Sequence, residues 1–290
     1  MSLATDLSSK WLVVSSLVPH VLHVELSRKP VNAFSIEFWR EYGALFDRII
    51  GEGRDVRALV LSSAIPKLFT AGIDSKINSG GITRSTGADS ARISLAALRD
   101  VKEFQYAIGA PERCPFPVIA AVHGLVLGLG IDIISACDIR YAAEGTKFSI
   151  KEVDVGIAAD IGTLAYLPKI TGNHSLMNEL AYSARFFSAA EAEKLGLVSR
   201  VVPGSPADVV KAALELAALI ASKSPIAVSG TKRILVHARD HSVQENLEYT
   251  AIWNAAALQT DDVTESMRAT VAHRAAQYAP LRRATAKSRL

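Results

Sequence analysis

The chain reads as an α/β fold followed by a helical C-terminal region, and three observations carry that reading. Residues 20–62 run strand, helix, strand, an order that suggests a crossover unit between paired strands. Strand, turn and helix then recur in series along the middle of the chain, which points to a sheet wrapped by helices. Beyond residue 206 every periodic stretch is helical, and no strand pattern remains.

In order, residues 11–17 and 20–26 are β-rich runs joined through Val18-Pro19, and the second alternates cleanly. Pro30 makes 27–33 a loop. Ser35 can cap a helix over 36–50, whose Phe38, Trp39, Tyr42, Leu45, Phe46 and Ile49 recur at helical spacing. Residues 56–62 form a buried strand, 67–74 a small-residue turn, and 79–87 a polar Gly/Ser/Thr segment. A helix follows over 90–108, then strands at 118–122, 139–142 and 147–150, with a short apolar helix starting near Gly130. Ser188-Ala189-Ala190-Glu191 is a capping box for a short helix that Gly196 ends, and 197–202 is the last strand. Helices are expected near 207–222, 226–238, 243–259 and 263–277, the third opened by Ser242-x-x-Glu245. The break at Pro203–Pro206 divides the chain into 1–205, an α/β core, and 206–290, a helical region. That region carries enough apolar surface to pack on the core or on another subunit.

Composition narrows the function. In 290 residues, 49% are apolar, so a large core needs no staples. A net charge of +3 with both signs interspersed does not make a nucleic-acid footprint. Basic residues gather late (Arg268, Arg274, Arg282, Arg283, Lys287, Arg289), as a solvated tail or a phosphate contact. Cys114 and Cys137 have no CxxC spacing and read as small core residues of a reducing compartment. The histidines form no metal-ligand pattern, so no metal site is expected. The first residues lack the features of a signal peptide. The apolar run 118–134 is interrupted by His123, Asp132 and glycines, which argues against a membrane span. The chain ends Ser288-Arg289-Leu290, close to the Ser-Lys-Leu tripeptide read by the peroxisomal import receptor, with charge and length kept.

Chemistry concentrates at two turns and three acids. Ala71-Gly72-Ile73 and Gly128-Leu129-Gly130 each place small residues after a buried strand and before a helix. Two backbone N–H donors from such turns can hold a carbonyl oxygen as it becomes an enolate; either turn alone is equally an ordinary tight turn. Asp132 sits in the first turn of the second helix, where a carboxylate also suits the helix dipole. Glu152 either faces a pocket or pairs with Lys151 at the surface. Asp160, between Ala159 and Ile161, either faces a pocket or caps the segment 162–167. Taken together, three acids near two donor turns describe a pocket that moves protons, with carboxyl pKa values raised by apolar walls. Asp138 and Arg140 read as a structural ion pair.

These stretches resemble the crotonase (enoyl-CoA hydratase/isomerase) superfamily over essentially the whole chain. The matching runs are FTAGID (69–74), VIAAVHG (118–124), ACDIRY (136–141), NELA (178–181) and SPIAV (224–228). A further run, KEVDVGIAAD (151–160), resembles specifically the delta(3,5)-delta(2,4)-dienoyl-CoA isomerases. The resemblance implies a crotonase-like spiral of repeated ββα units with a C-terminal helical region. It implies oxyanion-hole N–H groups at Ile73 and Leu129, active-site acids Asp132, Glu152 and Asp160, and an acyl-CoA thioester substrate with no separate cofactor. Hydratases of the family carry glutamates at the positions of Asp132 and Glu152 and small residues at that of Asp160, so the pattern here favours isomerisation. Leu129 departs from the family's usual glycine. The implied reaction takes a proton from carbon 2 of a 3,5-dienoyl-CoA on Glu152 and returns one to carbon 6 from Asp160, with Asp132 positioning the pair. Coenzyme A contacts are expected at Arg28, Ala71, Asp74 and Lys76, each of which is equally a solvated loop residue. The family precedent is a homotrimer or homohexamer. The expected compartment is the peroxisome, with cytoplasm or mitochondrion as alternatives. The other functions open to this pattern are enoyl-CoA hydration and a non-catalytic scaffold.

Overall fold

The computed structural model describes residues 4, 6–74 and 89–281. Lys76, the polar segment 79–87 and the C-terminal tripeptide lie outside them, as do Arg282, Arg283 and Lys287.

Strands β1 (Leu12–Val18) and β2 (Val21–Leu26) pair antiparallel at one edge of a six-stranded sheet ordered β1-β2-β3-β4-β6-β9. From β2 onward, through β3 (Ala58–Ser63), β4 (Val118–Val122), β6 (Ile139–Ala143) and β9 (Arg200–Val202), every pairing is parallel. A second sheet joins β5 (Leu125–Leu127), β7 (Lys147–Ser149) and β8 (Phe187–Ser188). The central strands read as unbroken apolar runs because both faces of the large sheet are covered. Successive side chains point to opposite faces, so Leu59, Leu61, Val118 and Ala120 join one core while Ala58, Val60, Ile119 and Ala121 join the other.

The larger core receives α1 (Ile36–Gly51), whose Phe38, Tyr42, Leu45, Phe46 and Ile49 form one buried stripe. Ser35 caps it by accepting from the Phe38 N–H. Phe34 stacks on Phe38 at 4.2 Å between ring centroids. Next to α1 lies α2 (Ser90–Ile108), followed by the single turn α3 (Ala110–Arg113). The run 118–134 divides into β4, β5 and α4 (Leu129–Ser135), and no single helix among the described residues is long and apolar enough to cross a membrane. After β7 come a 3₁₀ turn (Glu152–Val155), α5 (Thr163–Ile170), α6 (His174–Ser183) and α7 (Ala189–Leu195). The expected capping box at Ser188 is present, and Gly196 ends α7 with φ 90°.

The helix directly after the 205/206 break, α8 (Pro206–Ala221), lies on the second face of the sheet and builds the smaller core with Val209, Ala213 and Ala217. Helices α9 (Pro225–His237), α10 (Val243–Ala257) and α11 (Asp261–Val271) follow. The last ends earlier than its periodicity suggested, because the chain turns away with His273 at φ 50°. No residue of α10 is buried in the single chain, and Val243, Leu247 and Ile252 stand exposed.

The ion pair expected between Asp138 and Arg140 does not form. Arg140 instead donates to the carbonyls of Leu197, Ile134 and Cys137, which hold the end of α4 against β6. Asp138 accepts from the Val118 N–H and, at 2.7 Å, from Lys232 of α9. The Lys232 side chain is 5% exposed and also donates to the carbonyls of Pro111 and Phe116, so one ammonium ties α9 to the core. Removing one partner of such a buried pair strands the other charge. Lys232→Met is therefore expected to destabilise the protein by about 3 kcal/mol or more. Urea unfolding of Lys232→Met, and of its combination with Asp138→Asn, checks this: the double variant should recover part of the loss.

Candidate active site

The two glycine turns, some fifty residues apart in the chain, are zipped together by backbone. Thr70 bridges Val126, the Phe69 N–H donates to the Leu125 carbonyl at 3.0 Å, and the Leu127 N–H donates to the Thr70 carbonyl at 3.2 Å. On its other side the first turn bridges Phe34, which uses the Gly72 carbonyl and the Asp74 N–H. Ile73's own N–H is left out of that bridge. Leu129 is the first residue of α4, where backbone N–H groups have no partner inside the helix. Neither N–H finds an acceptor among the described residues. They are neighbours, since a Cβ placed on Gly72 would lie 3.6 Å from the Leu129 nitrogen.

Glycine is required at both turns. Gly72 has φ 91° and a Cβ there would meet the Leu127 carbonyl oxygen at 2.9 Å; Gly128 has φ 48° and ψ −115°. Gly128 and Leu129, at the start of α4, line a cavity of about 220 Å³. Its walls include Ala71, Gly72, Ile73, Leu129 and all three acids, Asp132, Glu152 and Asp160.

The acids sit in different surroundings. Asp132 is 1% exposed, and its Oδ1 accepts from the Thr163 N–H at 2.6 Å and the Thr163 hydroxyl at 2.7 Å. Burial raises its pKa to about 6 against the pull of the Thr163 hydrogen bonds. It thereby fills the role that the alternative, capping reading gave to Asp160: the carboxylate that serves the first N–H of α5 is Asp132, reaching across from α4.

Glu152 opens the 3₁₀ turn after β7, and a Cβ on Gly128 would stand 3.3 Å from its Oε1. Its Oε2 is buried with no hydrogen-bond partner among the described residues. Burial, then the charge of Asp132, lifts its pKa from 4.5 to about 7. The surface pair with Lys151 is not made, because the lysine donates to Asp154 at 2.8 Å and to the Ala184 carbonyl at 3.1 Å. Asp160 is exposed as a residue, on the cavity rim, and its backbone carbonyl accepts from the Gln105 side chain at 2.6 Å.

The expected coenzyme A residues divide. Ala71 lines the cavity. Arg28 and Asp74 are ion-paired at 3.0 Å beside the first turn, and neither lines the cavity. Phe104, Val155, Ile157 and Ile161 also line it and were not singled out from sequence. Phe104 reads as a core position of α2 and is one, at 9% exposure, stacked on Trp39. The available signal was Val155 and Ile157, apolar side chains that sit among acids and stay 63% and 51% exposed.

With this geometry described, comparison with known proteins gives the family. The model of the enoyl-CoA hydratase/isomerase family matches residues 19–280. The chain belongs to that family. It is 50% identical to the human mitochondrial delta(3,5)-delta(2,4)-dienoyl-CoA isomerase, over 92% of this chain and 81% of that protein. It is 43% identical to the peroxisomal delta(3,5)-delta(2,4)-dienoyl-CoA isomerase of Arabidopsis thaliana, over 90% and 93%. The crystal structure of an enoyl-CoA hydratase from Bacillus anthracis superposes with a TM-score of 0.81 at 29% identity, covering 93% of this chain and 99% of that one. The fold is the crotonase fold, and the enzyme is an isomerase.

Glu152 carries a stability cost that depends on pH. The stability associated with its protonated form is fully present below about 4.5 and is lost as pH rises through about 7, because in that window the folded state holds a proton that the unfolded chain has released. Glu152→Gln should therefore gain on the parent by roughly 1–3 kcal/mol at pH 8 and by little at pH 4.5. Urea unfolding at both pH values measures the difference; a gain that does not change with pH would show that the carboxylate is unstrained.

Proposed function

We propose that the enzyme converts 3,5-dienoyl-CoA to 2,4-dienoyl-CoA in fatty-acid β-oxidation. The observation that carries this reading is the convergence on one largely apolar cavity of three carboxyl groups and two N–H donors that have no acceptor among the described residues. The thioester oxygen sits against the N–H groups of Ile73 and Leu129, whose hydrogen bonds strengthen as it gains negative charge. Carbon 2 lies between the thioester and the diene, so its proton is doubly activated. The Glu152 carboxyl group lies close to Gly128, next to the Leu129 donor, which favours it as the base at carbon 2. A carboxyl pKa near 7 suits that task, being half ionised at neutral pH and more basic than an exposed glutamate.

Loss of the carbon 2 proton gives an extended enolate. Asp160 then protonates carbon 6, leaving the conjugated 2,4-diene and the neutral thioester. Each turnover leaves a proton on Glu152 and a charge on Asp160, and exchange between two carboxyl groups on one cavity restores the starting state. Asp132 raises the pKa of Glu152 and holds α5 through Thr163. No metal or redox group has a step in this scheme. Hydration would instead need Asp132 and Glu152 to share a water, and Asp132 Oδ1 already serves two donors from Thr163.

Isotope exchange separates the steps. In deuterium oxide, Asp160→Asn should still exchange the carbon 2 proton of a 3,5-dienoyl-CoA while diene formation, followed by ultraviolet absorbance, falls roughly 10²–10⁴-fold. Glu152→Gln should lose both. Full diene formation by Asp160→Asn, or retained exchange by Glu152→Gln, sinks the assignment. Rapid crotonyl-CoA hydration without dienoyl turnover would instead favour the hydratase.

The relatives are named mitochondrial in human and peroxisomal in Arabidopsis thaliana. We place this chain in the peroxisome through Ser288-Arg289-Leu290. A fluorescent fusion at the N-terminus should be punctate and become diffuse when those residues are deleted; unchanged import rejects the signal.

A further inference from the structure

Asp160 lies in a segment with little to hold it. Gly156, at φ 82°, ends the 3₁₀ turn, and the Ile157 N–H returns to the Glu152 carbonyl at 3.1 Å. At the far end Thr163 is clamped by Asp132. Across residues 158–161, the backbone makes one hydrogen bond with the rest of the described structure, from Gln105 Nε2 to the Asp160 carbonyl at 2.6 Å. Its donor comes from α2, an element otherwise remote in sequence from the acids. That helix is held at its C-terminal end, where Phe104 lines the cavity and stacks on Trp39 at 4.9 Å and Ala107 and Ile108 are buried. Nearly all of its first ten residues are exposed. Gln105 therefore projects from the fixed end of α2.

We propose that Gln105 is a positioning residue for Asp160. By fixing the carbonyl of Asp160 it sets the orientation of that peptide, and with it the direction in which the Cα–Cβ bond carries the carboxyl group over the cavity. Its neighbour Phe104 forms the cavity wall, so one turn of α2 holds both the acyl surface and the acid that acts beside it. Gln105 does not touch the reacting atoms, and its side chain is not part of the cavity lining. The inference rests on the reading that Asp160 delivers the proton to carbon 6.

The test uses full-length Gln105→Ala and Gln105→Glu. The glutamate keeps size and helix preference but, ionised, has no proton to donate. A displacement of about 1 Å at a reacting group costs on the order of 10²-fold. Both variants should therefore slow diene formation by roughly 10- to 100-fold while carbon 2 exchange in deuterium oxide stays within about twofold of the parent. In an Asp160→Asn background neither should cause a further loss, because the group being positioned is gone. Thermal unfolding confirms that each variant is folded. If Asp160→Asn shows the split between exchange and diene formation but the Gln105 variants keep parental rates, or lose both steps together, Gln105 does not position Asp160. If Asp160→Asn itself forms diene at the parental rate, the assignment of the acid is wrong and this inference falls with it.

Discussion

The bridge between Thr70 and Val126 is the constraint on which the site depends. Each glycine turn alone is a chain reversal with an unsatisfied N–H. Joined by backbone hydrogen bonds, they place the Leu129 nitrogen beside Gly72 and leave two donors facing one space. Because the donors are main chain, their positions are set by strand pairing rather than by rotamers. Preorganisation of this kind makes a hydrogen bond worth more to an enolate than to the ketone-like ground state. It also shows how leucine can stand at position 129: the proposed reaction uses its N–H, while its side chain, 4% exposed, fills space at the cavity wall.

Opposite these donors the protein keeps carboxyl groups where water would ordinarily solvate them. Glu152 leaves one oxygen without a partner, and Asp132 raises its pKa further. A core selected for stability alone would place an apolar side chain there. Asp132 is a different case. It is the more buried acid, yet it is well satisfied by Thr163, so its structural and electrostatic roles cannot be separated by deleting it. One carboxylate joins two helices and at the same time tunes a second carboxylate. This coupling is why acids that each look ordinary in isolation form a working set.

The sheet, α1 and the capped helices were legible because local rules decide them: short apolar runs on buried strands, period 3.6 on α1, serine boxes before α7 and α10. Short elements escaped. β5 looks like part of a glycine turn, and β8 is two residues whose existence depends on β7 lying beside them. Within the site, the family motif brought out the acids and the two turns, but assigned partners less well. Charge proximity along the chain suggested Asp138 with Arg140, whereas the pairing is with Lys232, ninety-four residues away, because a buried ammonium needs a carboxylate and carbonyls in three dimensions. The alternative reading of Asp160 as the cap of 162–167 is overturned for the same reason. A helix N-terminus accepts any carboxylate that reaches it, and nothing in the sequence ranks Asp132 above Asp160.

The unequal surroundings of Glu152 and Asp160 also fit the order of the two proposed proton transfers. In the proposed scheme the first transfer is the harder, because it creates charge on the substrate, and the N–H donors and raised carboxyl pKa that would serve it are held by sheet and helix. The second discharges an enolate already delocalised over the diene, at an end of the conjugated system remote from the thioester. A less enclosed acid serves it, provided its direction is fixed. That acid sits on a segment between Gly156 and Thr163 rather than in the core, next to the exposed apolar side chains of Val155 and Ile157. In the proposed reaction, rigid donors at the thioester and a tethered acid at the far end divide the two steps between the fixed side and the less enclosed side of one cavity.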